Sequence, residues 1–159
     1  MDNALSIYGD FFGEREGENH SFSFFRKPIR NVEPLRCITI PDIYRYIVGP
    51  YAQRQTETLR AIIDKDAARK YKAENFDFCT FSGTFRIRNK NHLLLHSELL
   101  CIDFDHVADI PSLRERLLHD DCFETELLFR SPSGDGLKWV IDIERKGWEH
   151  SRFYNAVYN

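Results

Sequence analysis

The sequence predicts an α+β fold: a split β-α-β core of the ferredoxin-like or RNA-recognition-like (RRM-like) kind, with an additional α/β subregion before it. Three observations carry this expectation. From Leu99 onward the segments read strand, helix, strand, strand, helix, the split β-α-β order short of its last strand. The apolar run 99–102 leads straight into two carboxylates, as a strand buried on both faces and ending at a site would. Residues 137–143 alternate between apolar and polar positions directly after a turn rich in serine and glycine.

The earlier segments follow in order. Residues 1–21 hold Gly9, Gly13 and Gly17 among mixed charges and read as a loosely ordered lead-in. Residues 22–159 read as one domain whose C-terminal end is expected to be truncated. An alternating strand covers 21–26, and 35–40 reads as a second short strand. Pro41 and Asp42 signal a helix start, and Ile43, Tyr44, Ile47 and Val48 keep helical spacing until Gly49 and Pro50 interrupt it. A long helix is then expected from about 52 to 72, burying Leu59, Ile62 and Ile63 and turning Arg54, Glu57, Arg60 and Asp64 to water. Residues 76–81 and 84–88 are rich in β-formers and are joined by Ser82 and Gly83, which predicts a hairpin with Arg86 and Arg88 on one face of its second strand.

After the strand at 99–102, Asp109 and Pro111 open a helix whose inner face carries Leu113, Leu117 and Leu118. Residues 125–130 form the next strand, 131–136 a tight turn and 137–143 the following strand, with a final helix expected over 148–159.

Composition narrows the function classes. With 159 residues, 42% apolar and 30% charged, the chain can bury one core and is neither disordered nor fibrous. No apolar run approaches the roughly 20 residues of a membrane helix, so no membrane partner and a cytoplasmic location are expected. Cys37, Cys79, Cys101 and Cys122 form no C-x-x-C pair, which predicts neither a zinc ribbon nor a disulfide framework but small apolar fillers. A net charge of −3 argues against coating nucleic acid by charge alone, so contact with DNA would be local, with Arg86 and Arg88 as candidates.

The chemistry is expected at two places. Side chains alternate along a strand, so Asp103 and Asp105 should share a face about 7 Å apart. Two like charges so close call for a counter-ion, and hard oxygen donors suit Mg²⁺ or Mn²⁺, which bridge phosphates in phosphoryl transfer. The competing reading is a turn in which one aspartate caps and the other is exposed. The second place is the turn holding Ser131, Ser133, Gly134, Asp135, Gly136 and Lys138, where hydroxyls, close-approach glycines and a lysine make an anion cradle. Lys138, Val140 and Asp142 should point away from the main core, which Leu137, Trp139, Ile141 and Ile143 face. Asp103, Asp105 and Lys138, with Asp142 or Arg130 in support, could then form one polar face. His106 is expected to help structurally, and His92 and His96 to lie at strand edges rather than bind zinc.

Three segments, 80–85 (TFSGTF), 100–106 (LCIDFDH) and 131–138 (SPSGDGLK), together resemble the VirE amino-terminal domain family. The resemblance runs from about Phe22 to the end. That family occurs in mobile-element proteins with a helicase-like region downstream and is similar to the archaeo-eukaryotic primase-polymerase superfamily. The resemblance implies that Asp103 and Asp105 are the first acidic motif, holding the catalytic metals, and that 131–138 is the nucleotide-contacting motif. Lys138 stands where those polymerases commonly carry histidine, and a lysine binds phosphate as a point charge without histidine's proton chemistry. A third acidic position has no clear match, Asp142 being a speculative substitute.

The expected function is therefore a primase-polymerase-like nucleotidyltransferase core that binds a nucleoside triphosphate through Mg²⁺ or Mn²⁺, acting on DNA in replication or mobilisation. The alternative is a non-catalytic nucleotide- or nucleic-acid-binding module of a replication protein. A haloacid-dehalogenase-type phosphatase, which also uses D-x-D after a buried strand, ranks third, since that motif usually opens the chain.

Overall fold

The computed structural model describes residues 20–143 together with Arg152, Asn155 and Ala156, so the lead-in before His20 and nearly all of the expected final helix lie outside the described residues. The first strand, β1 (Phe22–Phe25), is flanked by β2 (Arg36–Ile38) and β3 (Phe78–Thr80), antiparallel to both. Between β2 and β3 run α1 (Ile40–Ile47), α2 (Pro50–Ala61) and α3 (Lys65–Asn75). Thr39 and Asp42 close a capping box at the start of α1, where the Thr39 backbone N–H donates to Asp42 at 3.0 Å.

The single long helix expected over 52–72 is instead two. Ile62 takes extended backbone geometry after α2, and Asp64 caps α3 by accepting from the Ala67 N–H at 2.7 Å. Ile63, expected in the buried stripe, is 98% exposed at this break. Asp64 is therefore a cap that restarts the chain at a new angle rather than a solvated mid-helix residue.

The hairpin expected around Ser82 and Gly83 also resolves differently. β3 pairs with β1, whereas β4 (Gly83–Phe85) pairs with β5 (Leu93–His96). Gly83 makes this possible: its φ is +152°, and a Cβ there would lie 2.2 Å from the Leu95 carbonyl oxygen. Because β4 ends at Phe85, Arg86 and Arg88 lie beyond it and share no strand face.

The remaining elements are β6 (Leu99–Phe104), α4 (Ile110–Leu118), β7 (Thr125–Arg130) and β8 (Leu137–Asp142). Their sheet has the order β6-β8-β7 with both pairings antiparallel, so β8 is inserted between the two strands that α4 connects. This is the split β-α-β unit the sequence predicted, and the fold is α+β. Asp109 caps α4 as expected, accepting from the Ser112 N–H at 3.0 Å.

Both faces of this sheet are covered. Leu100, Ile102, Leu128, Leu137, Trp139, Ile141 and Ile143 pack with Leu117 of α4, and Trp139 Nε1 donates to Thr125 Oγ1 at 2.7 Å, so the buried indole keeps its hydrogen bond. On the other face Leu99, Leu127, Phe129 and Val140 pack with Phe22, Phe24, Ile43 and Phe81. Lys138 and Asp142 thus do not look out over a polar face. They sit at opposite ends of a second apolar core that joins the N-terminal subregion to the sheet.

The cysteines divide along the same lines. Cys37 and Cys122 are exposed, contrary to the expectation of four fillers, whereas Cys79 and Cys101 pack against the second core. Burial pushes the Cys101 thiol up to about 12 and raises that of Cys79 as well. Since the thiolate is the reactive form, a thiol-disulfide reagent at neutral pH should label Cys37 and Cys122 rapidly, and Cys79 and Cys101, which line a cleft, far more slowly. Four equally fast thiols would contradict this packing.

Candidate functional site

The two motifs singled out in the sequence meet at one end of β6 and β8. Asp103 and Lys138 are register partners across the strands, and the Lys138 ammonium forms an ion pair and hydrogen bond with Asp103 Oδ2. Asp105 lies exposed one residue past the end of β6. His106 then takes a left-handed conformation, φ 53°, which turns the chain back over the 131–136 turn. There the Val107 N–H donates to the Asp135 carbonyl at 2.8 Å, and His106 Nδ1 lies 2.8 Å from Asp135 Oδ2. His106 thus links the acidic strand end to the glycine turn.

Gly136 lets the two segments approach this closely. A Cβ at that position would lie 2.0 Å from the Phe104 carbonyl oxygen and 3.3 Å from the Asp105 Cα. Within the turn, the Ser131 N–H donates to the Gly136 carbonyl at 2.8 Å and the Gly134 N–H to the Ser131 carbonyl at 2.9 Å. These amides are therefore occupied, and positive charge is delivered by side chains instead. Arg130 Nε donates to the Gly134 carbonyl at 2.6 Å, and Arg60, reaching over from α2, donates to the carbonyls of Pro132 at 3.1 Å and Ser131 at 3.2 Å. Gly134, at φ +87°, takes a left-handed conformation that side-chain-bearing residues rarely adopt, and a Cβ there would push against Arg60 Nε at 2.9 Å. The Ser131 hydroxyl is buried without a hydrogen-bond partner among the described residues, whereas Ser133 is exposed.

Beside this end of the sheet opens a cleft of about 750 Å³, walled by the helices on one side and by β3, β6, β7 and β8 on the other. Five cations line it, Arg60, Arg69, Lys72, Arg130 and Lys138, against two carboxylates, Glu57 and Asp77. Its floor and sides are apolar and aromatic, with Phe24, Tyr46, Phe76 and Phe129. Asp77 is engaged by donors of its own. Its side chain is fully buried and accepts from Tyr46 Oη at 2.9 Å, the Lys27 N–H at 2.9 Å and Arg26 Nη1 at 3.4 Å. Burial, and then the neighbouring Asp77 charge, raise the Tyr46 hydroxyl well above the usual phenol range. A cavity of this size with a few convergent charges on apolar walls has the dimensions of a small-ligand site.

The other sequence candidates fall elsewhere. Arg130 joins Lys138 in the cleft, but Asp142 is four residues along β8 from Lys138, about 13 Å at strand spacing, and does not join Asp103. Arg88 donates to the Ile29 carbonyl at 2.6 Å and stacks over Phe78 at 4.7 Å, a packing role, while Arg86 is exposed. His92 is exposed at the end of a short 3₁₀ turn, and His96 lies in the short strand β5.

Among the described residues, no third histidine, cysteine or carboxylate gathers with Asp103 and Asp105. Two hard carboxylates without a third protein ligand fit Mg²⁺ or Mn²⁺ only in the mode where phosphates and water complete the coordination shell. An ion there would compete with the Lys138 ammonium for Asp103.

A family model, BT4734-like, N-terminal domain, matches residues 70–159, more than half of the chain. The chain belongs to the BT4734-like N-terminal domain family. The match spans the acidic strand end, the glycine turn and Lys138, but not α1 or α2. In this BT4734-like domain, Arg60 therefore reaches the matched segment from outside it. Neither the curated proteins nor the solved structures compared contain a match. No helix among the described residues is long and apolar enough to cross a membrane.

Arg60 and the Asp77–Tyr46 pair are the residues that sequence reasoning missed. No local motif marks either of them. Arg60 reads as one more solvated helix charge until the fold brings Pro132 alongside it, and Asp77 lies 31 residues from its phenol partner.

Proposed function

We propose that this BT4734-like domain binds a nucleoside triphosphate in the cationic cleft and acts as a primase-polymerase-like nucleotidyltransferase core. The observation that carries the reading is the five-cation cleft opening beside the Asp103–Lys138 pair. In this reading the base lies against the aromatic wall. Arg60, Arg130 and Lys138 bind the phosphates, with Ser131, Ser133, Gly134 and Gly136 shaping the turn around them. Asp103 and Asp105 hold Mg²⁺ or Mn²⁺, which would neutralise charge on the transferring phosphoryl group. The resemblance to VirE amino-terminal and primase-polymerase domains supports this assignment and supplies the setting: DNA as the polymer partner, a helicase-like region as the neighbouring module, and replication or mobilisation as the process.

A second reading keeps the nucleotide and omits the chemistry. It is favoured by the Lys138–Asp103 ion pair, which satisfies with a side-chain cation the charge that a metal would otherwise balance. The two readings differ in metal dependence. Calorimetric titration of a nucleoside triphosphate with Mn²⁺ should show binding that Asp103→Asn/Asp105→Asn abolishes, and Lys138→Met should weaken triphosphate binding by about tenfold, the scale of one charged hydrogen bond. Binding that ignores both Mn²⁺ and the aspartates would establish the non-catalytic module, and no binding at all would remove both readings.

A further inference from the structure

At the end of the sheet opposite Asp103, three ligating side chains converge. The ligand atoms of His20, Glu126 and Asp142 all lie within 4.8 Å of one another. They come from three parts of the chain: the segment leading into β1, the start of β7 and the last residue of β8. Glu126 arrives there through an irregularity. Thr125 pairs with Ile141 and turns its hydroxyl to Trp139 on the α4 face, Leu127 pairs with Val140 on the other face, and the register shifts between them. Such a bulge re-aims the inserted side chain, here beside Asp142.

His20 is oriented as a metal-binding imidazole would be. Its Nδ1 hydrogen-bonds the Ser97 carbonyl, and since a carbonyl only accepts, Nδ1 carries the proton in the neutral ring. The lone pair is thereby left on Nε2, which lies 3.7 Å from Asp142 Oδ2. That separation exceeds a hydrogen bond but is spanned by an ion bonded to each atom at about 2.1 Å. Fixing one ring nitrogen on a backbone carbonyl while the other binds is the usual arrangement around protein metals. The site is also sheltered, with the His20 and Asp142 side chains 9% and 11% exposed and Glu126 5%.

We infer that His20, Glu126 and Asp142 bind a divalent transition metal of the Zn²⁺ kind rather than Mg²⁺ or Ca²⁺. The imidazole sets that preference, because all-oxygen shells suit the latter two. The three ligands among the described residues clamp the segment ahead of β1 to the start of β7 and the end of β8 through the ion. The inference does not depend on the nucleotide reading, because the two sites share no residue.

Co²⁺, a visible-absorbing stand-in for Zn²⁺, is titrated into the metal-free chain of 159 residues. One equivalent should develop ligand-field absorption, be displaced by Zn²⁺ and survive excess Mg²⁺. His20→Ala should weaken binding by at least about 100-fold, since loss of a direct ligand exceeds the losses seen when outer-shell partners are removed, while Asp103→Asn/Asp105→Asn should leave it unchanged. His20 lies outside the sheet, so this variant should keep the wild-type circular dichroism spectrum without metal, even if Glu126→Gln does not fold. Absence of the absorption band, its retention in full in His20→Ala, or its loss in the Asp103/Asp105 variant would each overturn the assignment.

Discussion

Replacing Gly136 by alanine is expected to lower the thermal midpoint by roughly 10 °C, the consequence of about 3 kcal/mol lost from a domain of this size. The added methyl would stand 2.0 Å from the Phe104 carbonyl oxygen. Both the turn and the end of β6 are backbone held by the β6–β8 ladder, in which Phe104 pairs with Leu137 and Asp103 with Lys138. No flexible side chain is available to yield, so relief requires the strands to part at the end that joins the two motifs. The Asp103–Lys138 pair and the His106–Asp135 contact should be lost together, and with them any triphosphate binding. Ser133→Ala, on an exposed residue of the same turn, should shift stability by no more than about 0.5 kcal/mol. Differential scanning calorimetry of both variants decides the matter: equal midpoints would mean that the turn does not bear on the strand.

Gly136 also shows what the sequence could convey. A glycine two residues before Lys138, in a serine-rich turn, marked a close backbone approach, but what approaches it is a strand 32 residues earlier. The split β-α-β unit was legible because its signals are local: an apolar run ending in charge, a capped helix with a leucine face, and a strand that alternates. The pairing of the acidic strand end with the glycine turn follows from that topology, since β8 must lie against β6 once it is inserted between the strands that α4 connects.

The N-terminal subregion was less legible for physical reasons. Residues 52–72 are strong helix formers almost throughout, and only the Asp64 cap separates α2 from α3, a competition worth about 1 kcal/mol. Phe76–Phe81 and the segment after Gly83 each have β propensity, and propensity does not say with which strand a segment pairs. β3 joins β1, where Phe25 stacks on Phe78 with ring centroids 4.9 Å apart, and β4 joins β5. The covering of the second sheet face follows from those long-range pairings, and so does the cleft. The sequence placed Lys138 facing away from the core because a polar residue on an alternating strand ordinarily faces water. Here it points into a space closed by helices whose position no local signal encodes. Arg60 and Arg130 therefore bring positive charge to the glycine turn.

Asp77→Ala should destabilise the fold by about 1–3 kcal/mol, the cost of leaving buried hydrogen-bond donors without their acceptor. Its fully buried carboxylate accepts from the Tyr46 hydroxyl, the Lys27 N–H and Arg26, which tie α1 and the segment after β1 to the start of β3. Alanine leaves those donors facing a void on the wall of the cleft. Asp77→Asn retains a carbonyl acceptor and should cost less than half as much in urea unfolding. The same pair predicts an alkaline limit to stability. Burial and the Asp77 charge raise the Tyr46 phenol in the folded protein, whereas in the unfolded chain it ionises near its ordinary value of about 10. Above that pH the unfolded state binds fewer protons than the folded state, so stability, complete below about pH 10, declines as pH rises further. Tyr46→Phe should reduce that decline, and Asp77→Asn should soften it by removing the like charge. An unfolding free energy equally flat above pH 10 in wild type and Tyr46→Phe would show that the phenol is not held protonated by this contact.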